Sequence, residues 1–197
     1  MPLPVISTLT TQILSLSTAL FPPLHLLFYS TLLGTELYQT FVMTKVCYNA
    51  LPKSAFTTLQ KRVFPLYFRG QALLLFLAAA TCPPHGLFVS LARRRMVWIP
   101  FAVAGCTAVL NLVVYEPRTR KAMVDRVHQE TRDRARQAAG DGSDHDENIG
   151  GTSLEMQVLN RAFSKNHAMC IHLNLVSVGA MLVYGWGLAS RLQLCSE

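Results

Sequence analysis

The sequence predicts an all-α integral membrane bundle of four transmembrane helices, with a cytoplasmic helical loop between spans three and four. Three observations carry that class. Of 197 residues, 51% are hydrophobic and only 15% are charged, where a soluble domain carries about a quarter charged. Mean hydropathy is positive, at +0.29. The charges also cluster, which leaves long apolar tracts between them.

The elements follow in chain order. Residues 5–21 are uncharged and rich in Ser and Thr, and Pro22–Pro23 is expected to stop a helix there. Residues 1–23 therefore read as an interfacial or luminal lead-in, with a fifth span as the alternative. They have neither the basic start of a signal peptide nor the arginines of a transit peptide. The first predicted span is 24–44. At ~1.5 Å per residue it is long enough for a ~30 Å hydrocarbon core. An amphipathic connection carrying Lys45, Lys53, Lys61 and Arg62 leads to the second span, 65–81. The third covers 96–115 and the fourth 167–189, followed by a tail at 190–197.

Loop charge sets the orientation. The first and third loops hold thirteen Lys and Arg residues, and the opposite side holds four. The first and third loops are therefore expected in the cytoplasm, with both termini across the membrane. A multi-pass protein of the endomembrane system or plasma membrane is implied. The net charge of +7 is explained by this flanking pattern, so membrane lipids are the expected surroundings and no nucleic-acid partner is.

The third loop, 116–166, has three parts. Residues 118–139 alternate acids and bases at helical spacing, as in Glu130 and Arg134, so the third helix should continue into solvent. Residues 140–151 are Gly- and Asp-rich and read as a flexible linker, and the third loop as a whole is where a protein partner would dock. Asp144, Asp146, Asn148 and Glu155 fall at positions 1, 3, 5 and 12 of a calcium loop. Position 6, however, is Ile149 rather than Gly. Thr152 and Glu155 fit a capping box that would start the helix feeding span four.

Polar residues inside the spans are the candidate site. Glu36 and Gln39 lie in span one, Arg69 in span two, Asn111 in span three, and His167 and Asn174 in span four. All six fall in the cytoplasmic half, and the i,i+7 spacing of His167 and Asn174 puts both on one helix face. A carboxyl in lipid should face inward and find a partner. The cluster either holds helices together by hydrogen bonds or forms a substrate site. Arg69 either snorkels to the headgroups or pairs with Glu36, and the expectation is that the two approach each other inside the bundle.

No metal or cofactor is expected. His25 lies at the opposite membrane face from His167, and His167 and His172 are five apart, about 140° out of line on a helix. Cys47, Cys82, Cys106, Cys170 and Cys195 are odd in number and contain no CxxC pair, so neither a zinc knuckle nor a disulfide framework is indicated.

Four stretches carry a resemblance to a known family. They are "GTELYQTFV" (Gly34 to Val42), the run from Leu51 to Phe68 ending in "FPLYF", "EPRTRKAM" after span three, and Phe163, His167 and Asn174. In this order they resemble a fungal-type member of the transmembrane protein 205 family, which carries the domain of unknown function 4149. Ala168 departs from the family's usual Gly after the histidine, and His172 occupies a commonly apolar position. The resemblance implies a multi-span membrane protein and no assigned reaction. Two function classes remain open. One is a structural, adaptor or transport-supporting protein. The other is a small membrane enzyme acting on a lipophilic metabolite, by analogy of size and helix count with anthrone oxygenases.

Overall fold

The computed structural model describes residues 3–82, 95–138 and 153–190, with side chains from residue 19 onward except that of Met96. Among these residues every regular element is a helix. Helix α1 (Leu3–Leu37) passes through a π-helical segment (Tyr38–Met43) into α2 (Thr44–Ala50). Then come α3 (Lys53–Ala80), α4 (Arg95–Leu110), a second π segment (Asn111–Tyr115), α5 (Glu116–Ala138) and α6 (Leu154–Ala189).

Three expectations change here. Pro22 and Pro23 lie inside α1 rather than ending it. A proline removes one i→i−4 bond and crowds one carbonyl, and in apolar surroundings the rest of a 35-residue helix can carry that loss. The predicted first connection is mostly helix. Leu51 is extended, at φ −110° and ψ 143°, as a residue before proline tends to be. The chain turns at Leu51–Pro52, and α3 begins at Lys53, well before the predicted start of span two. At the start of α6 the cap is Ser153, whose Oγ accepts from the Met156 amide over 3.2 Å. Thr152 of the expected capping box lies outside the described residues, as do Asp144, Asp146 and Asn148.

Three helical stretches are long and apolar enough to cross a membrane: Lys53–Ala80, Val97–Ala138 and Leu154–Ala189. The predicted first span lies on α1, the first π segment and the first residue of α2. The helices pack side by side, α4 and α5 along α6, and α1 along α3. Large apolar side chains point outward, with Leu66 75% and Trp186 82% exposed, while Glu36, Asn111 and Ser177 are buried. That inversion suits a chain whose outer solvent is lipid.

One end of the packing is an apolar core in which Ala78, Ala104 and Ala108 let helices approach around Leu32, Phe101 and Met181. His25 sits inside it, with Nδ1 2.8 Å from the Ala78 carbonyl and Nε2 2.6 Å from the Tyr184 hydroxyl. A carbonyl only accepts, so Nδ1 carries the proton and Nε2 accepts from Tyr184. At the other end α5 extends beside α6. The Arg126 guanidinium lies over the Phe163 ring at 4.7 Å, and Ser153 Oγ donates to Asp133 over 2.8 Å.

Candidate functional site

Three helical stretches, α1 with the π segment that continues it, α3 and α6, each turn a pair of polar side chains inward. Glu36 and Thr40 are four apart, as are Tyr67 and Gln71, and Asn174 and Ser177 are three apart. Spacings of three and four put each pair on one helix face. The pairs meet in one network. Gln71 Nε2 donates to Glu36 Oε1 over 2.6 Å, and Ser177 Oγ donates to the same oxygen over 2.8 Å. Asn174 Oδ1 accepts from the Tyr67 hydroxyl over 2.7 Å, while its Nδ2 donates to Thr40 Oγ1 over 2.7 Å. Gln71 Nε2 also lies 3.4 Å from Asn174 Oδ1. Two buried atoms of the network, Glu36 Oε2 and Gln71 Oε1, have no hydrogen-bond partner among the described residues.

Beside the network is a cavity of about 150 Å³. Its lining includes the polar Thr40 and Asn174 of the network and the apolar Phe64, Phe68 and Ile171. His167 stacks on Phe163, with ring centroids 5.3 Å apart and planes 11° from parallel, and lies 6.1 Å from the Phe64 ring. At the α5 side stand Thr119, Glu116 and Arg120, the last two 3.6 Å apart. Gln60 completes the wall. It is 1% exposed, and both its amide nitrogen and its amide oxygen lack a partner among the described residues. A buried unpaired polar atom costs about 1–3 kcal/mol, so this glutamine stands out in a bundle that otherwise pairs most of its buried polar groups.

Both π segments adjoin this cavity. Gln39 and Thr40 on the first line it, and Glu116, directly after the second, lines it too. A π turn widens the helix by one residue and recurs at functional sites.

The six candidates from the sequence divide accordingly. Glu36 and Asn174 join in the network. Gln39 lies on the cavity wall, its Nε2 donating to Thr44 Oγ1 over 3.4 Å, and His167 lies on the wall as well. Asn111 sits apart, donating from Nδ2 to the Cys170 carbonyl over 3.3 Å and tying the end of α4 to α6. Arg69 is exposed, and the ion pairs among the described residues are Arg120–Glu116 and Arg134–Glu130, so the expected Glu36–Arg69 pair is not formed. The reason is angular. Arg69 is two residues from Tyr67 and two from Gln71, and a two-residue step turns about 200°. With Tyr67 and Gln71 facing in, Arg69 faces out.

Sequence reasoning passed over Thr40, Gln60, Tyr67, Gln71 and Ser177. The usable signal was the recurrence of polar residues at helical spacing, with Gln60, Phe64, Tyr67 and Gln71 tracing one stripe of α3. His172 is exposed and bonds its own helix, Nδ1 lying 2.6 Å from the Ala168 carbonyl. No group of three His, Cys, Asp or Glu side chains converges among the described residues.

The family described as "Domain of unknown function (DUF4149)" matches residues 27–128. That stretch holds Glu36, Thr40, Gln60, Tyr67, Gln71 and both π segments, and His167, Asn174 and Ser177 lie beyond it. The chain is also 40% identical over 172 residues to "Xanthocillin biosynthesis cluster protein D" of Aspergillus fumigatus, covering 86% of this chain and 90% of that protein. No solved structure matches.

Proposed function

The chain belongs to the DUF4149 family, and we propose that it is a multi-pass membrane protein that holds a small, mainly apolar molecule in the cavity between its helices. The role is transport-supporting: the protein keeps a lipophilic intermediate of a biosynthetic route at the membrane. The observation that carries this reading is the cavity itself. A bundle that served only as an adaptor has no use for a cavity lined by Phe64, Phe68 and Ile171 together with Thr40, Asn174 and Gln60. Such a mixture of apolar wall and a few placed polar groups is typical of small-molecule sites. The relative named for a xanthocillin biosynthesis cluster supports the metabolic setting.

Four crossings, the first on residues 24–44, with α5 and the start of α6 in the cytoplasm, fit the loop charge. In that orientation the cavity lies in the cytoplasmic half. The likeness to the transmembrane protein 205 family accords with this architecture.

A second reading rests on His167 and Asn174, which both reach the cavity wall. An imidazole and an amide beside a bound lipophilic molecule could serve a membrane enzyme.

A metabolite profile of a deletion strain tests both. Wild-type protein should restore the profile. Cys170→Phe, which places a ring at a buried wall position, should fail to restore it when its expression is adjusted to match the wild-type protein level. Full restoration by Cys170→Phe would refute the cavity reading. Build-up of one precursor in both the deletion and a His167→Ala strain would favour the enzyme.

A further inference from the structure

We propose that the molecule held in the cavity carries a hydrogen-bond donor and an acceptor side by side on one planar edge, as a primary amide or cis-lactam does, and that Gln60 is the residue that reads this edge. The inference rests on the cavity being a binding site. Gln60 lies on α3 one turn before Phe64, so the two share a helix face. Its carboxamide is buried, and both of its polar ends are without a partner among the described residues. A ligand that only accepts, or only donates, would satisfy one end and leave the other stranded. A carboxamide or cis-lactam satisfies both in a cyclic pair of two hydrogen bonds, N–H of each to C=O of the other. The terminal torsion of glutamine is broad, so the amide can turn its edge toward the cavity at small cost.

The rest of the wall defines the body that carries this edge. The Phe64 ring lies 6.3 Å from Phe68 and 6.1 Å from His167, so flat rings line the space. Offset stacking and edge contacts between rings favour an aromatic body over a flexible chain. A cavity of about 150 Å³ is suited to a single ring. The occupant is therefore an aryl or heteroaryl amide, with its ring against Phe64 and its amide edge on Gln60.

The test uses the full chain in lipid nanodiscs, two fluorinated probes of similar size and ¹⁹F NMR, with empty nanodiscs as the partition control. The probes are 4-fluorobenzamide, which has the donor–acceptor edge, and 4-fluoroethylbenzene, which lacks it. Gln60→Leu removes both polar ends together, a change that leaves no orphan and should not cost the fold. Undiminished binding of 4-fluoroethylbenzene checks that the cavity of the variant is intact. Gln60→Leu should weaken 4-fluorobenzamide about tenfold or more and change 4-fluoroethylbenzene less than about twofold. Equal weakening of the two probes, or no weakening of either, overturns the role of Gln60 while the cavity reading stands. Failure of the wild type to bind either probe, or binding that Cys170→Phe leaves unchanged, overturns the cavity reading and this inference with it.

Discussion

Gln71 Nε2 donates to Glu36 Oε1 over 2.6 Å between helices that meet 35 residues apart in sequence. The acceptor is fully buried and receives a second bond from Ser177. One carboxyl oxygen thus ties α1, α3 and α6 together without a cation. In apolar surroundings such bonds contribute modestly, about 0.6–2 kcal/mol each. The loss of an acceptor costs more, because its donors are left unpaired.

Glu36→Gln keeps a carbonyl oxygen for Gln71 and Ser177, so the variant should retain most of its thermal stability in nanodiscs. Glu36→Leu takes the acceptor from both donors, leaving Gln71 Nε2 only its longer contacts to Asn174 Oδ1 at 3.4 Å and Ser177 Oγ at 3.3 Å, and should cost roughly 1–3 kcal/mol, seen as a clear drop in melting temperature and in abundance. Equal damage from the two substitutions would mean that the hydrogen bonds do not hold these helices.

Arg69→Gln should leave stability within about 0.5 kcal/mol of wild type, the usual range for a surface change. Combined with Glu36→Leu, its effect should simply add, since the residues share no contact. Recovery of stability in the double variant would reinstate a Glu36–Arg69 pair.

Gly185 is required by packing. A methyl group there would run into the Tyr29 hydroxyl, which donates to the Met181 carbonyl over 2.9 Å. Gly187 has open space around the same position. Gly185→Ala should therefore lower the melting temperature by an amount matching about 1–3 kcal/mol, and Gly187→Ala should not. Similar behaviour of the two alanine variants would count against the Tyr29 placement.

Tyr184→Phe removes the hydroxyl that His25 Nε2 accepts from and leaves that nitrogen buried and unpaired. About 1–3 kcal/mol of stability should go with it. The cavity lies apart from this cluster, so probe binding should be unchanged. Thermal unfolding and ¹⁹F NMR on one preparation separate the two effects.

The membrane character of the chain was legible because apolar tracts and clustered charges leave few alternatives. The candidate site was half legible. Glu36 and Asn174 stood out because a carboxyl and an amide in an apolar tract draw notice on their own. Gln71 and Ser177 did not, although Gln71 lies four residues after Tyr67 and Ser177 three after Asn174, the spacings that put side chains on one face. The pairing expected of Arg69 follows from its depth along the helix, whereas its angle around the helix decides where it points. Its neighbours at two residues on either side turn it outward. The two π segments had no signal in composition, since an extra residue in a turn is set by what packs against it. Gln60 was hidden for another reason. It stands among Lys61, Arg62 and other polar residues, where burial cannot be read from pattern.

The central claim is that the cavity beside Asn174 and His167 holds a small molecule, and extraction from native membranes tests it most directly. Wild-type protein and Cys170→Phe are purified in parallel into nanodiscs without detergent exchange, and their organic extracts are compared by mass spectrometry. The account predicts a small aromatic compound present near one per chain with the wild type and absent from Cys170→Phe at equal protein recovery. Identical extracts from the two proteins would contradict it.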